Sequence, residues 1–131
     1  MKEIHVGSMR FSLDPGQPLY EQVLAHIRSA VARGELPLGA RLPSVRELAQ
    51  ALQINPNTVM RAYRELEREG LAESHGSQGT YITRDAGRVE AVRRDLAAAA
   101  VAAFLAEMER LGFTLPDVVR MLQERSDADT P

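Results

Sequence analysis

"INPNTVMRAYRELEREG", residues 54–70, decides how the rest of this chain is to be read. Asn55 can cap a helix, Pro56 suits the first helical position where no amide donor is needed, and Gly70 ends the segment. At about 100° per residue, Asn57, Arg61, Arg64 and Arg68 fall within a stripe about 60° wide. Val59, Ala62, Tyr63 and Leu66 lie on the opposite side, so the helix has an apolar face that needs a core and a basic face. A charged helix face is often only solvated. Glu65, Glu67 and Glu69 interleave with the arginines at helix-neighbour spacing, so some of these cations could simply be paired.

The neighbours on both sides sharpen the reading. Upstream, "SVRE" (44–47) is a capping box in which the Ser44 hydroxyl accepts from the Glu47 amide and the Glu47 side chain reaches back. It opens a short helix with Val45, Leu48, Ala49 and Leu52 as its buried stripe, ending near Gln53. The connection to the next helix is about three residues, which fits a helix-turn-helix better than a hairpin packed along its length. Downstream, "LAESHGSQGTYITR" (71–84) reads as a β-hairpin, with extended runs Leu71–Ser74 and Thr80–Thr83 around Gly76 and Gly79. An earlier helix is expected from near Pro18 to Arg33, with Leu19, Val23, Ile27, Ala30 and Val31 stepping by three or four, stopped by Gly34. "ELPLGARLP" is then a connector. Before this, "MRFSL" (9–13) alternates like a short strand and "DPGQP" is turn chemistry, while "MKEIHVGS" shows no pattern.

After "DAGR" a long Ala-rich helix is expected from Arg88 to Leu111, stopped by Gly112. A last helix follows, with Thr114 as cap, Asp117 in its first turn and Leu115, Val118, Val119 and Leu122 as its stripe. "SDADTP" reads as a frayed tail. These two helices have apolar stripes but too little core of their own, which argues for burial against a second copy. Val92, Leu96, Ala99, Ala103, Phe104, Val118 and Leu122 are the expected dimer-forming residues. The expected architecture is mostly α with a small β wing: an N-terminal arm with a short strand (1–17), a winged helix-turn-helix (18–84), a two-helix dimerisation segment (85–125) and a flexible tail (126–131).

Composition narrows the function classes. With 44% hydrophobic and 26% charged residues this is an ordinary globular chain, and the absence of Cys excludes disulfides and thiolate metal sites. The net charge of −2 is uneven: residues 1–84 hold ten Lys+Arg against nine Asp+Glu, and residues 85–131 hold six against nine. Overall acidity therefore says nothing against a basic stripe in the first part. No apolar run approaches the length of a membrane span, and the N-terminal residues lack a signal-peptide core, so a cytoplasmic protein is expected. His5, His26 and His75 lack metal-ligand spacing, and no phosphate-binding glycine loop or nucleophile–base pattern stands out. No metal, no cofactor and no enzymatic activity are expected. His26 is expected on a helix surface, and Tyr63 in the core.

The basic stripe suits DNA. A major groove about 12 Å wide admits one helix, whose N-terminal side chains meet base edges. Asn57, Thr58 and Arg61 occupy that end, where Asn can pair bidentately with adenine and Arg with guanine, while Arg64 and Arg68 lie farther along, at phosphate height. The rival reading is a winged helix used for protein–protein contact.

The stretch from Pro18 to Ile82, about half the chain, resembles the DNA-binding domain of the GntR family of bacterial transcription regulators. The resemblance is carried by "G-x-R-L-P-S-x-R-E-L-A", "N-x-N-T-V-x-R-A-Y-x-x-L-E-x-E-G" and "G-x-x-G-T-Y" in this order. The short C-terminal part is similar to that of the YtrA-like subfamily, whose helices serve in dimerisation. The resemblance implies that Arg46 touches DNA backbone or base and that Asn57 and Thr58 form the reading end with Arg61 facing DNA; Ser44 is first a cap, though a hydroxyl at a helix start can also meet phosphate, and Arg64 lies at phosphate height. His75, Gly76, Gln78 and Gly79 would be the wing tip. Some relatives carry an arginine where Pro56 stands, which implies a different base preference here. A homodimeric repressor on an inverted-repeat, double-stranded operator is the implied function, with a transporter operon as a target suggested by such relatives. No residue names a small-molecule effector.

Overall fold

The computed structural model describes residues 2–129. A β-hairpin opens the chain: β1 (Glu3–Val6) pairs antiparallel with β2 (Met9–Ser12), Val6 opposite Met9. The two-residue loop Gly7–Ser8 carries a positive φ of 61° at Gly7, the backbone a tight hairpin loop asks of its first residue. The expectation of no pattern in residues 1–8 is thus corrected. The signal was present in the Gly-Ser pair flanked by Val6 and Met9, but only one residue in two of β1 is even half-buried, so its alternation is faint.

Helix α1 (Leu19–Ala32) buries Val23, Leu24, Ile27, Ala30 and Val31. Its N-terminus has no side-chain cap. Instead the Gln22 amide clamps the preceding turn, its Oε1 accepting from Asp14 N at 2.7 Å and its Nε2 donating to Asp14 O at 2.8 Å. His26, expected at the surface, is half-buried: its Nε2 lies 3.0 Å from Ser12 O, and its ring meets Phe11 edge-on at 5.5 Å. It seats the hairpin on α1, a contact between segments that no helical period announces.

Helix α2 (Val45–Leu52) carries the full capping box, Glu47 N donating to Ser44 Oγ at 3.0 Å and Ser44 N to Glu47 Oε1 at 3.2 Å. It ends at Gln53 in the left-handed conformation, φ 56° and ψ 49°. Helix α3 (Pro56–Arg68) follows three residues after α2, with Asn55 as cap and Pro56 in its first turn. Val59, Ala62, Tyr63 and Leu66 are its buried face, as its period requires.

The wing is β3 (Ala72–Ser74) and β4 (Thr80–Ile82), joined through a single 3-10 turn, Gly76–Gln78. The connector before α2 adds a third edge: Ile82 N donates to Ala40 O at 2.7 Å and Leu42 N to Thr80 O at 2.8 Å, with Arg41 bridged to Tyr81. One core joins these parts, from Met9 and Phe11 of the hairpin through Leu42, Leu48, Val59 and Leu66 to Leu71 and Ile82.

Helix α4 (Ala86–Arg110) starts two residues earlier than expected because Asp85 Oδ1 accepts from Gly87 N at 2.9 Å. The chain divides into two compact units with the boundary between Arg94 and Asp95, inside α4. In the first unit Val89 and Val92 pack against the winged-helix core. In the second, helix α5 (Leu115–Asp129) begins with a reciprocal cap, Asp117 N donating to Thr114 Oγ1 at 3.3 Å and Thr114 N to Asp117 Oδ2 at 2.9 Å. The expected tail 126–131 is helical through Asp129, where Arg125 pairs with Asp129 one turn on; Thr130 and Pro131 lie outside the described residues. Among the described residues no helix is long and apolar enough to cross a membrane, and no cluster of three His, Cys, Asp or Glu could hold a metal ion.

Candidate nucleic-acid interface

Helix α3 turns Asn57, Met60, Arg61, Arg64 and Arg68 outward, all exposed, above its buried stripe. Its middle is tied to the start of α2 by Tyr63, whose hydroxyl donates to Pro43 O at 2.6 Å. Burial, and secondarily the charge of Glu47, push this phenol above its usual range, so it stays a donor. The bond fixes the angle at which the α3 face stands beside the exposed N-terminal turn of α2, where Ser44 and Arg46 sit.

Two of the three interleaved glutamates are engaged away from the reading end, and Glu67 makes no ion pair with a described residue. Glu65 is paired with Arg68. Glu69 is paired with Arg28 of α1, Arg28 Nε donating to Glu69 Oε2 at 3.1 Å. That pair is partly sheltered and staples α1 to α3. Arg64 and Arg46 make no ion pair or hydrogen bond with a described residue. The Arg61 guanidinium lies 3.8 Å over the Tyr20 ring. Asn57 is exposed with its backbone N–H donating to Asn55 Oδ1 at 2.8 Å, and Thr58 is half-buried beside it. Of the helix-three arginines, then, Arg68 is held by a glutamate, while Arg61 and Arg64 are not.

In the wing, His75 stacks on Tyr81 at 4.7 Å with 23° between the rings, and its Nε2 is 3.4 Å from Glu73 Oε2. The Tyr81 hydroxyl donates to Gln78 O at 3.2 Å, closing the turn that exposes His75, Gly76 and Gln78. Gly76 has φ 63° with open space around it, so its backbone alone requires glycine. Gly79, φ 107°, is different: a Cβ there would come 3.1 Å from Arg41 Nε.

Arg41 is therefore a residue that reading the helices missed. It is exposed, lies against the wing glycine and makes no ion pair with a described residue. It stands in the connector, where no period marks a face; its sequence signal was its place as the arginine of the "G-x-R-L-P" run. Met60 was missed for another reason. It lies at the edge of the outward stripe, 36% exposed, and an apolar residue does not declare itself as a ligand. At a groove it could meet a thymine methyl.

The order of α1, α2, α3 and wing, with these cations on the outward face, is that of a DNA-binding module. Residues 19–82 match the model of the bacterial regulatory proteins, gntR family. Over a longer span, the HTH-type transcriptional regulator Rv1152 of Mycobacterium tuberculosis is 38% identical over 119 residues, 91% of this chain and 94% of that protein. The chain belongs to the GntR family. It is a GntR-family DNA-binding transcriptional regulator of the short, YtrA-like kind, and not an enzyme. The HTH-type transcriptional repressor YtrA of Bacillus subtilis is 46% identical over 76 residues, 56% of this chain and 58% of its own length. Among solved structures, a GntR family transcriptional regulator from Listeria monocytogenes matches with TM-score 0.78 and 33% identity, over 86% of this chain and 98% of that one. The two C-terminal helices thus belong to the fold shared with a solved GntR regulator.

The residues expected to form a dimer face do not share one environment. Val92 packs against the winged-helix core and Val118 is only 2% exposed, so both are already covered within one chain. Leu96 is half-buried, while Ala99, Ala103, Phe104 and Leu122 are exposed.

Proposed function

We propose that this GntR regulator is a repressor that binds an inverted-repeat operator as a homodimer. Asn57, Thr58 and Arg61 read bases, Ser44, Arg46 and Arg64 hold phosphates, and the tip at His75, Gly76, Gln78 and Gly79 follows the adjacent groove. The observation that carries the reading is the division of charge on α3. Glu65 and Glu69 are occupied by Arg68 and Arg28, which leaves Arg61 and Arg64 without carboxylate partners on an exposed face. An unpaired cation stripe beside a capped helix start is the electrostatic footprint that phosphate contact requires.

Pairing through the C-terminal helices is supported by their surface. Val101, Phe104, Leu111, Leu115, Val119 and Leu122 are large, apolar and exposed, more than a soluble pair of helices leaves to water. Residues 85–125 thus form the dimerisation segment, and two copies related by a twofold axis read two half-sites. Repression is supported by the likeness to the B. subtilis repressor YtrA. A transporter operon is the target the resemblance favours, and the site of action is the cytoplasm.

An anisotropy titration with duplex DNA from upstream of the protein's own gene tests the reading. Log affinity is expected to fall linearly with log salt, and Arg64→Ala to reduce the slope by about 1. Asn57→Ala is expected to cost about 1–3 kcal/mol on the preferred sequence and less on others. No binding to any fragment at low salt would overturn it, leaving the protein–protein module.

A further inference from the structure

We infer that Tyr20, in the first turn of α1, is a positioning residue of the DNA interface: its ring carries the Arg61 guanidinium and presents that group to DNA. The inference rests on the DNA-reading role of Arg61 proposed above and adds a residue from outside the helix-turn-helix and the wing.

Tyr20 is half-buried and packs against the hydrophobic core, which fixes where its ring can be. The Arg61 Cζ lies 3.8 Å from the ring centroid, well inside cation–π range. The carboxylate one turn along α3, Glu65, is bonded to Arg68, and Arg61 makes no ion pair with a described residue. A carboxylate and an aromatic face hold arginine in opposite ways. A carboxylate consumes the N–H fork and neutralises the charge. A ring beneath the guanidinium plane leaves the in-plane N–H donors unspent and the charge intact. Those donors are what a guanine edge or a phosphate would take bidentately. The long arginine side chain is also restrained before DNA arrives, so less rotamer freedom is lost on binding. The Tyr20 hydroxyl has no hydrogen-bond partner among the described residues, so the ring and not the hydroxyl is the functional part.

A double-mutant cycle on the full chain tests this. The probe is the duplex that the wild-type protein recovers from a random-sequence library, and affinity is read by anisotropy. Tyr20→Leu is expected to weaken binding about threefold to thirtyfold, while Tyr20→Phe stays within about twofold of wild type. In the Arg61→Ala background, Tyr20→Leu is expected to add no more than about twofold. Equal losses from Tyr20→Leu in both backgrounds, or no loss in either, would overturn the inference, as would a Tyr20→Phe loss matching that of Tyr20→Leu. Proton NMR of the wild-type chain gives a measurement independent of any variant's folding. The Arg61 δ-methylene protons are expected upfield from the ring current, and an unshifted position would also refute the pair. Wild-type binding without coupling overturns this inference alone. Failure of the wild type to recover any duplex overturns it together with the DNA-binding role of the site.

Discussion

Single residues carry much of the specification here, and Gln53 shows the cost of one. It sits in the left-handed region at φ 56°, the only described residue other than glycine to do so. A side chain there meets its own backbone, and the turn between α2 and α3 holds it because Gln53 N donates to Gln50 O at 3.3 Å and Ile54 N to Ala49 O at 3.0 Å. Gln53→Gly removes the strain but adds freedom to the unfolded chain, so a net gain of about 0.5–1 kcal/mol is expected. Urea denaturation measures it, and a loss of stability would show the turn unstrained. At this scale the sequence was legible where chemistry is local. Ser44, Asn55, Thr114 and Gly70 were identifiable from a few neighbours. Arg41, Tyr20 and His26 were not, because each acts on a residue more than a dozen positions away.

At the scale of elements, α2 depends on its capping box. Hydrogen bonds from the Ser44 side chain, and then from its backbone, hold the Glu47 carboxyl below its ordinary value of 4.5, with Arg41 adding a smaller pull. A carboxyl whose folded value is depressed contributes stability that is present above its unfolded value and is lost as pH falls through the folded one. Stability is therefore expected to drop below about pH 4.5, and Glu47→Gln to flatten that part of the profile. Ser44→Ala is expected to lower stability by about 1 kcal/mol at neutral pH, the ordinary cost of an N-cap. Thermal melts across pH 3–7 (roughly the carboxylate range) measure both; a profile unchanged by Glu47→Gln would refute the account. Elements with a clear apolar stripe, α1, α2 and α3, were legible from their spacing, and α4 from its alanine-rich run ended by Gly112. Strand β1 was not, since a four-residue hairpin strand with one exposed face carries too few residues for its alternation to stand out.

For the whole molecule, the decisive fact is how unequally the two units bury their apolar residues. The first has a core running from Met9 to Ile82, whereas residues 95–129 bury only Val118 among the described residues. Two helices so little buried do not offset the entropy of ordering them, which supports the second copy proposed on the exposed stripe. Phe104→Glu and Leu122→Glu, at side chains 44% and 53% exposed, are expected to shift the protein to monomer in sedimentation equilibrium. They are expected to weaken binding to an inverted repeat far more than to a single half-site. A dimer that survives both substitutions would move the interface elsewhere.

Local chemistry and periodicity determined the caps, the four longer helices, the three-residue turn, the glycines of the wing and which face of α3 is apolar. Each of these follows from interactions within a few residues along the chain, where sequence distance and spatial distance agree. The tertiary structure alone decided which cations remain unpaired on that helix. Arg28 reaching Glu69 from α1, Tyr20 lying beneath Arg61 and Arg41 closing against Gly79 are contacts across elements. Pairing is a matter of distance between side chains, and helical spacing alone could not tell an arginine held by its own helix's glutamate from one left free for a groove.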